Sequence, residues 1–373
     1  MPEAIDWLAV LLIAIHLAWG IEMAIGNRRI PHLRDTAPGA GPRVSIVAAA
    51  RDEERNIDRA VRSMRAQTYA DLEVIVVDDR STDRTPDILA AIDGVRVLRI
   101  DALPPGWLGK CHALDAGARA ASGELLLFTD ADVVMEPTLV ARAVRFIEAS
   151  GLDHLVVTPD MTMPSWPLRS FGAAFIIFFS MFVRPWRVRD PRSRFHVGIG
   201  AFNMVRAGVY RAIGGHEAIR LRPDDDIKLG KLIKKHGFAQ DLAFGRGLIE
   251  VEWYPSWRAL RDGLMKNMFS GVDYRISMVV AGTAMLFLLY IGPFAAMCFS
   301  PAAGGAAATV MLIAAADSIG FSNLRRAHAL AMPFATLAFI YLQWRATILN
   351  LAQRGITWRG TRYSLEELRG NRV

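Results

Sequence analysis

Cysteine is scarce in this chain of 373 residues: there are two, and one pair cannot frame a disulfide scaffold. Cys111 stands in a polar, loop-like stretch and Cys298 in a long apolar run. No bridge is therefore expected, which suits a reducing compartment for the main domain. Glycine (30) and proline (18) stay at ordinary levels, which excludes collagen-like and low-complexity chains. There is no internal repeat and no glycine-rich phosphate loop. A basic segment ahead of the first apolar run is also missing. Glu3 and Asp6 precede it, which argues against a cleaved signal peptide. Charged residues make up only 22% against 52% hydrophobic, too apolar for disorder and unusual for a purely soluble enzyme.

What is present is hydrophobicity gathered at the two ends. Trp7 to Ile25 is apolar except for His16 and Glu22, about the roughly 20 residues needed for one crossing. Arg28, Arg29 and Arg34 follow it and by the positive-inside rule place the next segment in the cytoplasm. Ile276 to Ser300 is uncharged, Pro301 to Ser322 is Ala/Gly-rich with Asp317, and Ala327 to Leu351 contains Gln343 and Arg345. Three such spans would put the tail outside, yet Arg354, Arg359, Arg362, Arg369 and Arg372 argue for inside. One of the last two segments is then re-entrant or interfacial. The expected organisation is an N-terminal transmembrane anchor (1–27), a main domain (43–275), a C-terminal transmembrane region (276–351) and a basic tail (352–373). The net charge of +7 suits an anionic membrane or a phosphate-bearing substrate. Nucleic acid is not expected, because the basic residues crowd the apolar segments.

The main domain opens as alternating strands and helices. Val44 to Ala50, Val74 to Val77 and Leu125 to Phe128 read as buried strands, and Ile57, Ala60, Val61 and Met64 recur at helical spacing. This is an α/β pattern with a mostly parallel sheet and ligands at the strands' carboxyl ends. Asp78 and Asp79 end the second strand, as ligands for a ribose or base or as a cap for the next helix. Asp130 and Asp132, two apart after an apolar strand, are expected on one side. There they would suit a hard cation such as Mg²⁺ or Mn²⁺, the alternative being a solvated turn. Lys110, just after Gly106 and Gly109 at a helix start, is a phosphate contact or an exposed loop lysine. His112 has no second ligand at metal spacing. Asp224, Asp225 and Asp226 begin a helix, as dipole partners or with one raised as a general base. Ser165 to Arg194 carries a short apolar run, Phe171 to Val183, flanked by tryptophans and arginines. It reads as an interfacial helix or a buried core helix.

In order, Arg51-Asp52-Glu53-Glu54, Val77-Asp78-Asp79, Gly109-Lys110, Asp130-Ala131-Asp132, Gly214-Gly215-His216 and Asp225-Asp226 resemble family-2 glycosyltransferases with the GT-A fold. The likeness is greatest to membrane-anchored enzymes that glycosylate lipids, such as ceramide glucosyltransferase and bacterial carotenoid and hopanoid-associated relatives. Pro105 to Lys110 and Gly355 to Gly360 carry that closer similarity. The resemblance implies that Ala50, Arg51 and Glu53 line the nucleotide pocket and Asp78 or Asp79 meets the base. It puts Lys110 at the pyrophosphate, Asp130 near the ribose, and Asp132 with Asp130 at a divalent metal. Asp226 matches the family's base, with Asp225 beside it. It further implies an inverting transfer from a nucleotide sugar, UDP-glucose by expectation, to a membrane lipid hydroxyl, at a bacterial inner membrane with the catalytic domain in the cytoplasm. The alternatives are a processive polysaccharide synthase or a polyisoprenyl-phosphate glycosyltransferase. The Q/R-x-x-R-W motif that relatives often carry beyond the base is missing from Arg261 to Asn267, which speaks against the processive synthase.

Overall fold

A computed structural model describes residues 2–321 and 326–373, with side chains for 3–316 and 327–373. Ser322 and the Asp317 side chain, noted in the third apolar run, lie outside these. The chain forms two compact units. One comprises residues 30–161, 183–252 and 370–373; the other comprises 1–29, 162–182 and 253–369.

The first unit is an α/β domain. Its strands are β1 (Val44–Ala50), β2 (Leu72–Asp79), β3 (Arg96–Ile100), β4 (Leu125–Asp130), β5 (Val134–Met135), β6 (His154–Thr158), β7 (Asp160–Thr162), β8 (Asn203–Arg206), β9 (Gln240–Phe244) and β10 (Ile249–Glu252). Seven of them make one sheet in the order β3-β2-β1-β4-β8-β6-β9, and β5-β10-β7 form a small second sheet. The first four strands are parallel, β8 is inserted antiparallel between β4 and β6, and β9 runs parallel to β6. β1 is apolar apart from Ser45 and buried along nearly its whole length, because both faces are covered.

Period-two alternation sorts its side chains. Val44, Ile46, Ala48 and Ala50 pack with helices Ile57–Arg65 and Leu139–Ala149. Val47 packs with Leu126 and Phe128 against helices Gly109–Ala120 and Asp225–Lys235. Asp130 shares the parity of Leu126 and Phe128, so β4 delivers it to the side of those last two helices. The register pairs Ala50 with Asp78 and Ala49 with Asp130, so three neighbouring strands end level with one another. The crossover from β1 to β2 goes one way and the later passage to β4 the other, which opens a crevice at the carboxyl ends.

One buried polar cluster ties β6 to its neighbours. His154 Nε2 donates to Asn203 Oδ1 (3.0 Å), and Gln240 Nε2 donates to His154 Nδ1 (2.9 Å). Gln240 also accepts from the Val197 amide (2.9 Å). With its second nitrogen accepting, the imidazole is neutral, and burial lowers its pKa to about 4.

The second unit is helical. It contains Pro2–Asn27, Trp166–Val183, Ile276–Leu286 continuing through a π-helical turn into Gly292–Ala296, Pro301–Phe321 and Met332–Ala352. A hairpin, β11 (Gly355–Trp358) and β12 (Thr361–Ser364), follows. Among the described residues, three helical stretches are long and apolar enough to cross a membrane: Glu3–Asn27, Trp166–Arg187 and Ile276–Ala296. The short apolar run Phe171 to Val183 thus sits in a longer helix, which begins five residues earlier at Trp166. Ala174, Ile177 and Phe178 are buried against Leu286, Tyr290 and Val310, whereas Phe182 is exposed.

The histidine yields a prediction. An unfolded chain protonates His154 below pH 6.5, whereas the folded chain resists down to about pH 4. This group's contribution to stability is therefore lost as pH falls through that interval. Thermal melts of wild type and His154→Gln between pH 7 and 4 should converge on acidification. A constant gap across that range would show that the imidazole does not titrate as described.

Candidate active site

The loops after β1 and β2 are laced together by side chains that satisfy each other's backbone. The amides of Asp52, Glu53 and Glu54 donate to Ser81 Oγ (3.0 Å), Thr85 Oγ1 (2.8 Å) and Asp83 Oδ2 (3.0 Å). In return the Thr82 amide donates to Asp52 Oδ1 (2.8 Å) and the Arg84 amide to Glu54 Oε2 (3.1 Å). This lacing holds Asp52 and Arg80 in left-handed conformations, φ 53° and 58°. It also fixes the two strand-end aspartates in different tasks. Asp79 is buried between Arg80 (Nε to Oδ1, 2.7 Å) and Arg51 (Nη1 to Oδ2, 3.6 Å). Asp78 accepts from the Ser81 amide through Oδ1 (3.1 Å), while its buried Oδ2 has no partner. Gly109 lies against this group: a Cβ there would run into Asp79 Oδ2.

Next to it, Lys110 opens helix Gly109–Ala120 and reaches two carboxylates from distant parts of the chain. Its Nζ lies 2.7 Å from Asp130 Oδ1 at the end of β4 and 3.4 Å from Asp225 Oδ1 on helix Asp225–Lys235. Burial opposes its charge, but Asp130, Asp225 and Asp226 more than offset this and raise it well above the usual lysine value.

The three consecutive aspartates divide as helical geometry requires, since successive residues point about 100° apart. Asp224 is clamped by Arg222 (3.1 Å and 3.2 Å) and lies 3.5 Å from Lys228. Asp225 faces Lys110 and His216, whose Nε2 is 3.9 Å from its Oδ2. Asp226 accepts from the Ile227 amide (2.8 Å), and its carboxyl is pushed up to about 7 by burial and then by Asp225.

Asp132 lies in the turn beyond β4, not on the strand. Strand alternation therefore does not place it beside Asp130. The turn nonetheless leaves it within reach of Asp130 and Glu53, and burial followed by those two charges raises its carboxyl to about 7. Among the described residues no group of three or more His, Cys, Asp or Glu is arranged to hold a metal ion. The acidic pair still suits a hard divalent cation, because such ions take one or two carboxylates and complete their shell with substrate phosphate and water.

The sequence reading missed several contributors. Gly198 and Gly200 carry the chain between the site's walls: a Cβ on Gly198 would strike the Asp226 carbonyl, and one on Gly200 would lie 2.5 Å from Asp130 Oδ2. Their G-x-G spacing was a visible signal. The Arg222 clamp on Asp224 had no sequence signal. His216 is buried, its Nδ1 hydrogen-bonded with the Tyr210 hydroxyl (2.8 Å), and burial holds it neutral with a pKa lowered to about 3. In the stretch that lacks the Q/R-x-x-R-W motif, Arg261 pairs with Asp262 (2.8 Å) and Lys266 sits 3.9 Å above the Trp358 ring.

Residues 45–214 match the family model of glycosyl transferase family 2. An uncharacterized glycosyltransferase of Nostoc sp. is 32% identical over 110 residues, which is 30% of this chain and 34% of that protein. The 4,4'-diaponeurosporenoate glycosyltransferase of Staphylococcus aureus is 22% identical over 97% of this chain and 99% of its own length. A mannosyltransferase of Pyrobaculum calidifontis, solved with GDP-Man and Mn²⁺, superposes with TM-score 0.50 at 18% identity, covering 93% of this chain and 98% of that one. The domain has the GT-A fold.

Gly200 supplies a prediction. Gly200→Ala pushes a methyl group at Asp130 Oδ2 and displaces the carboxylate from Lys110. Calorimetric titration with nucleotide sugars should show roughly tenfold weaker binding, about 1.4 kcal/mol, with the melting temperature nearly unchanged. Unaltered affinity would mean that Asp130 has no part in binding.

Proposed function

With residues 45–214 belonging to glycosyltransferase family 2, we propose that this protein transfers a sugar, glucose from UDP-glucose by preference, to the hydroxyl of a membrane lipid with inversion at the anomeric carbon. The observation that carries the reading is the meeting of Lys110, Asp130 and Asp225 beside Asp226 at the carboxyl ends of parallel strands. The three membrane-length helices and the relative that glycosylates 4,4'-diaponeurosporenoate over nearly its whole length support a lipid acceptor. The arginines after the first span support a cytoplasmic catalytic domain at a bacterial inner membrane.

In this reading Ala50, Arg51 and Glu53 line the nucleotide pocket, and Asp78, with an oxygen still unpaired, meets the base. Asp79 holds Arg51 in place. Lys110 presents its ammonium to the diphosphate and Asp130 approaches the ribose. Asp132 with Asp130 would hold a divalent cation, Mg²⁺ or Mn²⁺, which when bound neutralises the leaving diphosphate. Asp226 accepts the proton of the acceptor hydroxyl as that oxygen attacks in line. A single displacement turns an α-linked donor into a β-glycoside. Asp225 shares the Lys110 charge and keeps its neighbour basic.

The test offers labelled sugar nucleotides to membranes containing the protein and identifies any labelled lipid. Asp226→Asn should keep donor binding and lose turnover by roughly 10² or more. A crippling Asp225→Asn with a mild Asp226→Asn would move the base by one residue. Because Asp226 must be ionised to accept a proton and its pKa stands at about 7, turnover should climb as pH rises through 7 and then level. A profile flat from pH 5.5 to 8.5 would exclude it as base. EDTA should abolish transfer, and Asp132→Ala nearly so; full turnover by protein shown to be metal-free would remove the cation from the scheme.

A further inference from the structure

Within the α/β unit, the Gly214-Gly215-His216 turn is built around one phenol. Both glycines take left-handed conformations, φ 82° and 53°, and a Cβ on Gly215 would lie 2.6 Å from the Tyr210 Cζ. The bare backbone lets the turn close on Tyr210, which stands on helix Ala207–Ala212. There the Tyr210 hydroxyl oxygen accepts from the His216 amide (3.0 Å) and lies 2.8 Å from Nδ1 of the same residue. Both rings are buried and pack on Phe128, with centroids 5.1 Å away for Tyr210 and 4.8 Å for His216.

These contacts decide where the imidazole keeps its hydrogen. Burial raises the Tyr210 phenol, which stays protonated, and lowers His216 to about 3, which keeps it neutral. A phenol has one hydrogen to give. Its oxygen accepts from the amide and its hydrogen goes to Nδ1. The opposite arrangement would leave a buried O–H with no acceptor among the described residues. Nδ1 therefore accepts, and the ring carries its hydrogen on Nε2. Nε2 lies 3.9 Å from Asp225 Oδ2, while Lys110 Nζ lies 3.4 Å from Oδ1. One oxygen of that carboxylate meets a cation and the other a neutral N–H, just short of hydrogen-bond contact. Contacts of this kind often tighten only when substrate binds.

We propose that His216, held as its Nε2–H tautomer by Tyr210, is a positioning residue that keeps the Asp225 carboxylate in place when the donor diphosphate draws on Lys110. The proposal rests on the glycosyltransferase reading, in which that lysine faces the diphosphate. As the leaving group gains charge, Lys110 gives less of its field to Asp225, and the His216 N–H closes on Oδ2 to offset the loss. Being neutral, it does so without a further fixed cation that would retain the product diphosphate. The demand is greatest in the transition state, so losing the contact should lower kcat more than donor affinity.

The test uses the full chain in detergent with its histidines labelled with ¹⁵N, read by nitrogen–proton correlation. The His216 signal is the one that His216→Gln removes. At neutral pH it should report a ring protonated on Nε2 alone, and that proton should move downfield when UDP and Mg²⁺ are added. Tyr210→Phe should give a mixture of tautomers and lose the response. With labelled UDP-glucose and membranes, His216→Leu should lower kcat about tenfold while the Kd for UDP changes less than about twofold. His216→Gln, which keeps an N–H donor, should recover most of that loss. A proton found on Nδ1, an Nε2 signal unmoved by bound UDP, or full kcat in His216→Leu would overturn the proposal. So would equal losses in the Leu and Gln variants with early melting of both, which would make the histidine a piece of the core. A wild type that transfers no sugar yet shows the Nε2 response to UDP would instead count against the glycosyltransferase reading and leave the contact standing at a nucleotide-diphosphate site.

Discussion

The ammonium of Lys110 is the group on which the catalytic unit's carboxyl-end architecture depends. It sits between Asp130 and Asp225, side chains supplied by β4 and by a helix nearly a hundred residues later. Removing one member of such a partly buried charge group leaves the others uncompensated, which costs far more than the net worth of the contacts. The small residues around it follow from this. Gly109 lets the lysine's helix begin against Asp79, Gly200 clears Asp130, and Gly198 lets the chain pass the Asp226 carbonyl. Larger side chains at these points would separate the charges. The lysine satisfies Asp225 more directly than Asp226. Burial first, and then the Asp225 charge, raise Asp226 to about 7, while Asp225 serves as counter-ion to Lys110.

Much of this was legible in the sequence because burial leaves periodic marks. Fully covered parallel strands read as nearly continuous apolar runs, as Leu125 to Phe128 and, but for Ser45, Val44 to Ala50 did. Helix Ile57–Arg65 buries the four residues its spacing singled out. The acidic residues at strand ends and at the start of helix Asp225–Lys235 were found by position. What they do could not be read, because a carboxylate's task depends on partners distant in the chain. Asp78 and Asp79 look alike in sequence, yet one is held by two arginines and the other keeps an open oxygen. Asp132 was found for an incomplete reason: it belongs to the turn after β4, and Glu53, 79 positions earlier, shares its electrostatic neighbourhood. The segment around Phe178 was ambiguous because a thirteen-residue apolar run fits two environments. Its burial against Leu286 and Tyr290 depends on residues more than a hundred positions away.

The helical unit handles polarity differently. It contains several buried polar side chains, and most are answered locally. Ser170 pairs with His328 (3.0 Å), Trp344 Nε1 donates to Thr283 (2.9 Å), and Thr336 returns its hydroxyl to the Met332 carbonyl (2.8 Å). The first two tie together segments far apart in the chain, and the third closes within one helix. Asn350 Nδ2 and Asn267 Oδ1, like His16 Nε2, are shielded polar atoms of this unit without a hydrogen-bond partner. In the α/β unit the contrast is between Asp78, whose Oδ2 is buried and unpaired, and Asp79, which two arginines satisfy.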